Sequence, residues 1–316
     1  RPAGLWLPEC AYAPGLEHLL SQHAVGHLML DGPSLRHGGA CTAEAWSLGD
    51  SDVAVVGRDL DVTYRVWSPR RGYPGGRWYR DFHSYHHESG FKLSRVTSAA
   101  LPAHEKAPYD PDRARSALAA DVDDFVDVLQ RRLTDIAAHD GTPGLVVAAY
   151  DTELFGHWWH EGVDWLAALL QRLPQAGIRV TTLDKAVESM GPTAAAYPER
   201  SSWGLGKDLA VWDGPDVRDM LDGQTWAQDA LLSASGTRPT GGLGRNANLD
   251  VLAEEVLLAC ASDWPFMVSH HSSVDYARAR LSGHLADVQA ALGRRAGSDH
   301  DKAQRPFGDV DARLLG

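Results

Sequence analysis

Two carboxylates follow apolar runs directly: Glu9 comes after Gly4-Leu5-Trp6-Leu7-Pro8, and Asp151 ends the run that occupies residues 145–150. A short apolar run bounded by turn residues reads as a buried strand. In parallel α/β sheets and barrels, active sites assemble where such strands end. Two acids meeting there suit glycosyl transfer. One attacks the anomeric carbon of a sugar, and the other protonates the leaving oxygen and later deprotonates the acceptor. Taken singly, each reads better as an ordinary strand-end acid that caps a loop. Taken together, with aromatic residues flanking both, they read as a working pair.

The elements that must position this pair follow from hydrophobic periodicity. Strands are expected at residues 4–8, 27–30, 53–56, 145–150 and 178–182, and short or long helices at 15–24, 112–138 and 161–173. Along 112–138, Leu118, Val122, Phe125, Leu129, Leu133 and Ile136 recur on one helical face. The expected inner face of 161–173 comprises Val163, Leu166, Leu169, Leu170 and Leu173. Asp140-Gly141-Thr142-Pro143 ends the longer helix. Alternation of helix and strand predicts an α/β class with a parallel sheet or barrel. After about residue 191 the pattern turns helical, over 215–234, 247–262 and 273–294, and residues 193–196 read as a linker. The expected organisation is residues 1–190 as the α/β part carrying the acids and 191–316 as a C-terminal helical domain. Two stretches, 32–51 and 68–95, show no period. The second is dense in Gly, Pro, His and aromatics, as functional loops often are. The last twenty residues, rich in Asp, Arg and Gly, are expected to be poorly ordered.

Composition narrows the partners. The 316 residues are 44% hydrophobic and 23% charged, enough for a sizeable core. A net charge of −12 argues against nucleic acid and anionic membranes, which need surplus Lys and Arg. No apolar run of about 18 residues predicts a membrane span. The start, Arg1-Pro2-Ala3-Gly4, lacks the layout of a signal peptide. Three widely spaced cysteines, Cys10, Cys41 and Cys260, suggest reduced thiols in a cytoplasmic protein rather than a disulfide framework. Eleven Trp against six Phe raise the prior for sugar binding, because indole faces stack on pyranose rings. Trp158 and Trp159 are adjacent, so one is expected to face a cleft and the other to pack. Trp226, in the middle of a predicted helix, is expected in the core. Gly241-Gly242-Leu243-Gly244 lacks a preceding strand and a following Lys-Ser/Thr, which argues against a phosphate loop. The sequence carries no signal for an oligomeric state.

Longer motifs give a resemblance. Gly4-Leu5-Trp6-Leu7-Pro8-Glu9-Cys10-Ala11-Tyr12 resembles the nucleophile region of glycoside hydrolase family 57. The stretch Ala149-Tyr150-Asp151-Thr152-Glu153-Leu154-Phe155-Gly156-His157-Trp158-Trp159 resembles its acid/base region. Val66-Trp67-Ser68, Gly72-Tyr73-Pro74-Gly75, Tyr79-Arg80-Asp81-Phe82-His83 and Ser262-Asp263-Trp264-Pro265-Phe266 extend the match over nearly the whole chain. Within the family the chain is most similar to the 1,4-α-glucan branching enzymes. The resemblance implies Glu9 as nucleophile and Asp151 as general acid/base. It implies Trp67, Trp203 and Trp212 as substrate-binding residues and an α-glucan such as glycogen or amylose as partner; His157 and Trp158 are expected to contact the sugar as well. The implied fold is a distorted (β/α)7 barrel followed by a helical domain, and no cofactor is implied. In the family the nucleophile strand lies mid-barrel, whereas here it begins at residue 4, and the family's N-terminal histidine motif has no counterpart. The expectation is therefore the C-terminal portion of the barrel, in a fragment or in a chain that starts at an internal site. The stretch 32–51 also lacks the tyrosine that branching enzymes often carry after the nucleophile. α-Amylase and 4-α-glucanotransferase chemistry thus stand beside branching. Two further readings are a metal-dependent polysaccharide deacetylase, with His157, His160 and Glu161 or His83, His86 and His87 as ligands, and a non-catalytic glucan-binding module. Histidines in an aromatic loop more often contact sugars, so no metal is expected.

Overall fold

In the computed structural model, residues 3–68, 72–140, 144–236, 245–293, 306–307 and 309–312 are described. The expected turn at Gly141, Thr142 and Pro143, the glycine-rich turn at 241–244 and most of the last twenty residues lie outside them. The chain divides into two compact units, Arg1–Ser202 and Trp203–Gly316.

The first unit is built on a five-stranded sheet. Its strands are β1 (Gly4–Leu5), β2 (His27–Asp31), β3 (Trp46–Leu48), β4 (Ala54–Arg58) and β5 (Ala195–Ala196), in the spatial order β1-β2-β4-β3-β5. The pairs β1–β2, β2–β4 and β3–β5 are parallel, and β3–β4 is antiparallel. Every residue of β2 and β4 is buried, which explains their near-continuous apolar sequences. Helix α1 (Leu16–Gln22) makes the crossover from β1 to β2, and α2 (Gly32–His37) follows β2. Gly32 is required there, because a Cβ would lie 2.5 Å from the Arg58 carbonyl oxygen. Helix α3 (Leu60–Val66) follows β4 and is capped by Asp59, whose carboxylate accepts from the amides of Asp61 and Val62.

Helix α4 (Pro111–Asp140) buries Val122, Phe125, Leu129 and Ile136, and leaves Leu118 and Leu133 half-buried. It packs on α5 (Gly162–Gln175). There the expected inner face is rotated. Trp165 is fully buried with Leu169 and Leu173, whereas Val163 and Leu170 are exposed. The indole of Trp165 meets Tyr73, Phe125, Phe155 and Trp159 at 5.1–6.4 Å between ring centres, so an aromatic anchor overrides the aliphatic periodicity. Helix α6 (Leu183–Met190) precedes β5.

Three expectations are corrected here. Residues 145–150 form no full strand: Val147 bridges Arg58 in parallel and accepts from the Asp59 amide at 2.9 Å, and Leu145 donates to Ala43. Residues 178–182 are irregular and mostly exposed, because no described strand runs beside them to complete a ladder. Residues 193–196 are tied to the sheet rather than forming a linker, through β5 and the Thr193 amide bond to Ala45.

The second unit is helical, with α7 (Ala210–Asp213), α8 (Arg218–Gly236), α9 (Ala247–Ala259), α10 (Asp263–Ser269) and α11 (Val274–Gly293). Its core joins Val217, Met220, Ala227, Leu252, Val256 and Val288. The buried Gln224 amide is satisfied by donating to the Ala259 carbonyl at 2.9 Å. Trp226 is 42% exposed, which corrects its expected core position: Met220, Gln224, Ala227 and Leu231 form the buried stripe of α8 instead. No described helix is long and apolar enough to cross a membrane.

Candidate active site

Glu9 sits on a tight turn just past β1. Strand pairing stops at Leu5, and Pro8, with its pre-set φ, starts a single 3₁₀ turn over Pro8–Cys10. Glu9 and Cys10 hold φ of 61° and 50°, the left-handed region that non-glycine residues avoid at a cost of about 1–2 kcal/mol each. The turn is held by Cys10 and Ala11 amides donating to Leu7 and Pro8, and by the Trp6 indole donating to Cys10 Sγ at 3.0 Å. Burial pushes the Cys10 thiol up to about 12, so it stays neutral and serves as an acceptor. Beyond it, Tyr12 and Ser201 exchange two backbone hydrogen bonds. Strain at a half-buried acid marks a position the surrounding structure over-determines.

Asp151 follows the 145–150 run and opens a 3₁₀ turn at Thr152–Leu154. It is half-buried, and its acidity is strongly altered. Burial first, then the carboxylates of Glu153 and Glu9, raise its pKa from 3.8 to about 6, against smaller opposing pulls from a backbone hydrogen bond and, least, from Arg58. Glu9 is therefore near enough for its charge to be felt at Asp151. The strand ends explain why. Glu9 lies after β1, Asp31 ends β2, Arg58 ends β4, and Asp151 trails the segment bridged to Arg58, all along the C-terminal edge of parallel neighbours. The buried partners Asp31 and Arg58, joined at 2.8 and 2.9 Å, were not singled out in the sequence. Their signal was a charged residue closing each apolar run.

The turn that carries Asp151 continues into an aromatic surface. Gly156, at φ 99°, lets the chain fold back, and the His157 and Trp158 amides both point to the Glu153 carbonyl. Of the adjacent tryptophans, Trp159 is buried against Tyr79 and Trp165, and Trp158 is 40% exposed, as expected of the pair. Trp158 lies 4.4 Å from Phe82 between ring centres, and His157 meets the same ring edge-on at 5.2 Å. Lys92 places its ammonium 3.4 Å from the Phe82 centre. Phe82 and Lys92 are not among the site residues expected from the sequence; Phe82 stands there only inside the motif Tyr79-Arg80-Asp81-Phe82-His83, and Lys92 only within the aromatic-dense stretch 68–95.

Trp67 caps α3 and is 45% exposed. In the second unit, Trp203 and Trp212 are half-buried: the Trp203 carbonyl accepts from Lys207 Nζ at 3.0 Å, and Trp212 stands on α7 with its ring nitrogen buried. The histidines considered as metal ligands contact neighbouring side chains. His157 packs on Phe82 and His160 on Tyr109, and buried Glu161 accepts from the Arg80 amide at 3.1 Å. His86 bonds Ser89, and His87 lies against Tyr85. Among the described residues, three His, Cys or carboxylate ligand atoms gather only at Glu255, His284 and Asp287 in the second unit. There Glu255 faces one His284 nitrogen at 2.9 Å and the Arg280 guanidinium faces the other at 3.0 Å.

Comparison with known proteins gives the family. Residues 1–198 match the model of glycosyl hydrolase family 57, and residues 225–313 match that of the 1,4-alpha-glucan branching enzyme C-terminal region. A probable 1,4-alpha-glucan branching enzyme of Mycobacterium tuberculosis is 45% identical over all of this chain, which spans 62% of that relative's length. The crystal structure of a family 57 branching enzyme from Thermococcus kodakaraensis, in complex with glucose and additives, has a TM-score of 0.83 at 30% identity; all of this chain and 62% of that one are covered. An α-amylase of Thermotoga maritima shares the fold, with a TM-score of 0.77 at 24% identity over 100% of this chain and 65% of its own. The architecture is thus an α/β partial barrel with a parallel sheet, followed by a helical unit. By the match over residues 1–198, the chain belongs to glycosyl hydrolase family 57.

Proposed function

We propose that the protein is a retaining 1,4-α-glucan branching enzyme with Glu9 as nucleophile and Asp151 as general acid/base. The observation that carries this reading is the paired acids at one sheet edge, with Asp151 held near pKa 6 by burial and by neighbouring negative charge. A carboxyl that titrates near neutrality can both give and take a proton in one turnover. Glu9 attacks the anomeric carbon of an α-1,4 linkage while Asp151 protonates the departing oxygen. The 6-hydroxyl of a second chain then resolves the glycosyl-enzyme, with Asp151 accepting its proton. Trp67, His157 and Trp158 bind glucan in the first unit, and Trp203 and Trp212 bind it in the second. The substrate is an α-glucan, glycogen or amylose, and the free thiols fit a cytoplasmic setting. Two kinds of relatives support this reading: those named branching enzymes, and the match to a branching-enzyme C-terminal region. Water as acceptor would make the same site an amylase, and a 4-hydroxyl would make it a 4-α-glucanotransferase. Incubation with amylose followed by enzymatic debranching tests the choice. New α-1,6 linkages are expected, and reducing ends without them would overturn branching.

A further inference from the structure

We propose that Arg77, Arg80, Arg95 and Arg113 form a binding site for a phosphate monoester. The inference does not depend on the roles given to Glu9 and Asp151. Arg77, Arg95 and Arg113 come from three separate segments, the last from the first turn of α4. Their guanidinium carbons stand 4.9, 4.3 and 4.7 Å from the centre of the Trp78 ring. Such contacts occur about once per 70–80 residues, so three on one indole are a built arrangement. An indole has two faces, so at least two of these cations share one. Arg80 pairs with Arg95 across an antiparallel bridge, which carries the two side chains on one face. The Arg80 guanidinium lies 4.5 Å over the Tyr109 ring, and its Nε is buried with no hydrogen-bond partner.

Four cations thus gather in a chain whose net charge is −12. One carboxylate answers them: Asp110 pairs with Arg113 at 3.4 Å. Among the described residues, no ion pair involves Arg77, Arg80 or Arg95. Glu161 accepts from the Arg80 backbone amide, not from its side chain. Guanidinium groups held this close repel one another, and a dianion seated among them removes the repulsion. Their planar forks match phosphate oxygens two at a time, whereas a neutral glucan offers them no charge. The backbone fixes the cluster in advance. The Arg77 carbonyl accepts from Arg95 Nη1 at 2.9 Å and from the Thr97 amide at 3.0 Å. Thr97 holds φ at 58°, which β-branched residues avoid. Its hydroxyl donates to the Arg95 carbonyl at 3.1 Å and accepts from the Ala107 amide at 3.0 Å. The strained turn therefore ties Arg77 and Arg95 to each other.

The test is isothermal titration calorimetry of the full chain at low ionic strength, with inorganic phosphate and glucose 6-phosphate as probes. Both are expected to bind saturably. Tighter binding of glucose 6-phosphate identifies a sugar phosphate as the ligand, and equal affinity identifies free phosphate. Arg77→Gln and Arg95→Gln are each expected to weaken phosphate binding at least about fivefold, because each removes a charge-assisted donor. Arg113→Gln is expected to weaken it less, because Asp110 already offsets that charge. Arg131→Gln removes the same charge from an exposed position elsewhere on α4 and is expected to leave the affinity unchanged. Arg77 is exposed, so Arg77→Gln keeps the test open if Arg95→Gln fails to fold. No saturable phosphate binding would overturn the proposal. So would Arg77→Gln and Arg131→Gln weakening it equally, which would mark a response to overall charge rather than a site.

Discussion

Replacing Glu153 by Gln separates the electrostatics of the site from its chemistry. Glu153 is exposed on the turn after Asp151, and its carboxylate is the second-largest cause, after burial, of the rise in Asp151 from 3.8 to about 6. Removing that negative charge lowers the Asp151 pKa. A contribution of this rank, screened by solvent at an exposed carboxylate, is about half a unit, or about threefold in proton affinity. If Asp151 must enter the reaction protonated, the alkaline limb of kcat/KM reports its pKa. The expected result is a limb moved about half a unit to lower pH, with a roughly threefold loss at pH 7 and little change at pH 5. Raising the ionic strength should narrow the gap between variant and parent, because the interaction crosses solvent. A uniform loss at every pH, an unmoved limb, or a limb moved to higher pH would refute the assignment of Asp151 as the group that titrates.

The adjacent tryptophans give a paired test. Trp158→Ala should weaken binding of long glucans several-fold and leave the unfolding midpoint nearly unchanged, whereas Trp159→Ala should cost about 3–5 kcal/mol in denaturant unfolding. Asp151→Asn should abolish turnover yet stabilise the fold. The folded-state pKa is raised, so the native protein holds this proton more tightly than the unfolded chain. The cost of the buried charge is absent below about pH 4 and complete above about pH 6, and its removal should add up to about 2 kcal/mol at pH 7. Thermal unfolding at pH 4 and pH 7 checks this, and equal gains at both would contradict it. Trp212→Ala should reduce activity on long glucans more than on short ones, measured as kcat/KM against chain length.

Much of the candidate site was legible because charged residues that close apolar runs advertise themselves. Glu9 and Asp151 could be found as the first charged groups after apolar runs, and the same logic, applied to residues 27–31 and 54–58, would have found Asp31 and Arg58. The failures have physical causes. Periodicity placed Val163 and Leu170 inside α5, but Trp165 fills the space between α4 and α5 and turns the aliphatic face outward. Trp226 looked like a core residue, yet smaller side chains line the seam of α8. Residues 178–182 have strand composition and no described neighbour to pair with, and pairing is a long-range fact that local sequence does not encode. The left-handed turn at Glu9 and Cys10 was invisible for the opposite reason: tertiary contacts impose a conformation those residue types disfavour.

The central claim is that Glu9 forms the bond to sugar. The direct measurement is mass spectrometry of the protein after reaction with an activated α-glucosyl donor whose deglycosylation is slow. The expected result is a glycosyl adduct on the peptide that contains Glu9, absent in Glu9→Gln and accumulating in Asp151→Ala. An adduct on another carboxylate, or turnover that persists in Glu9→Gln, would contradict it.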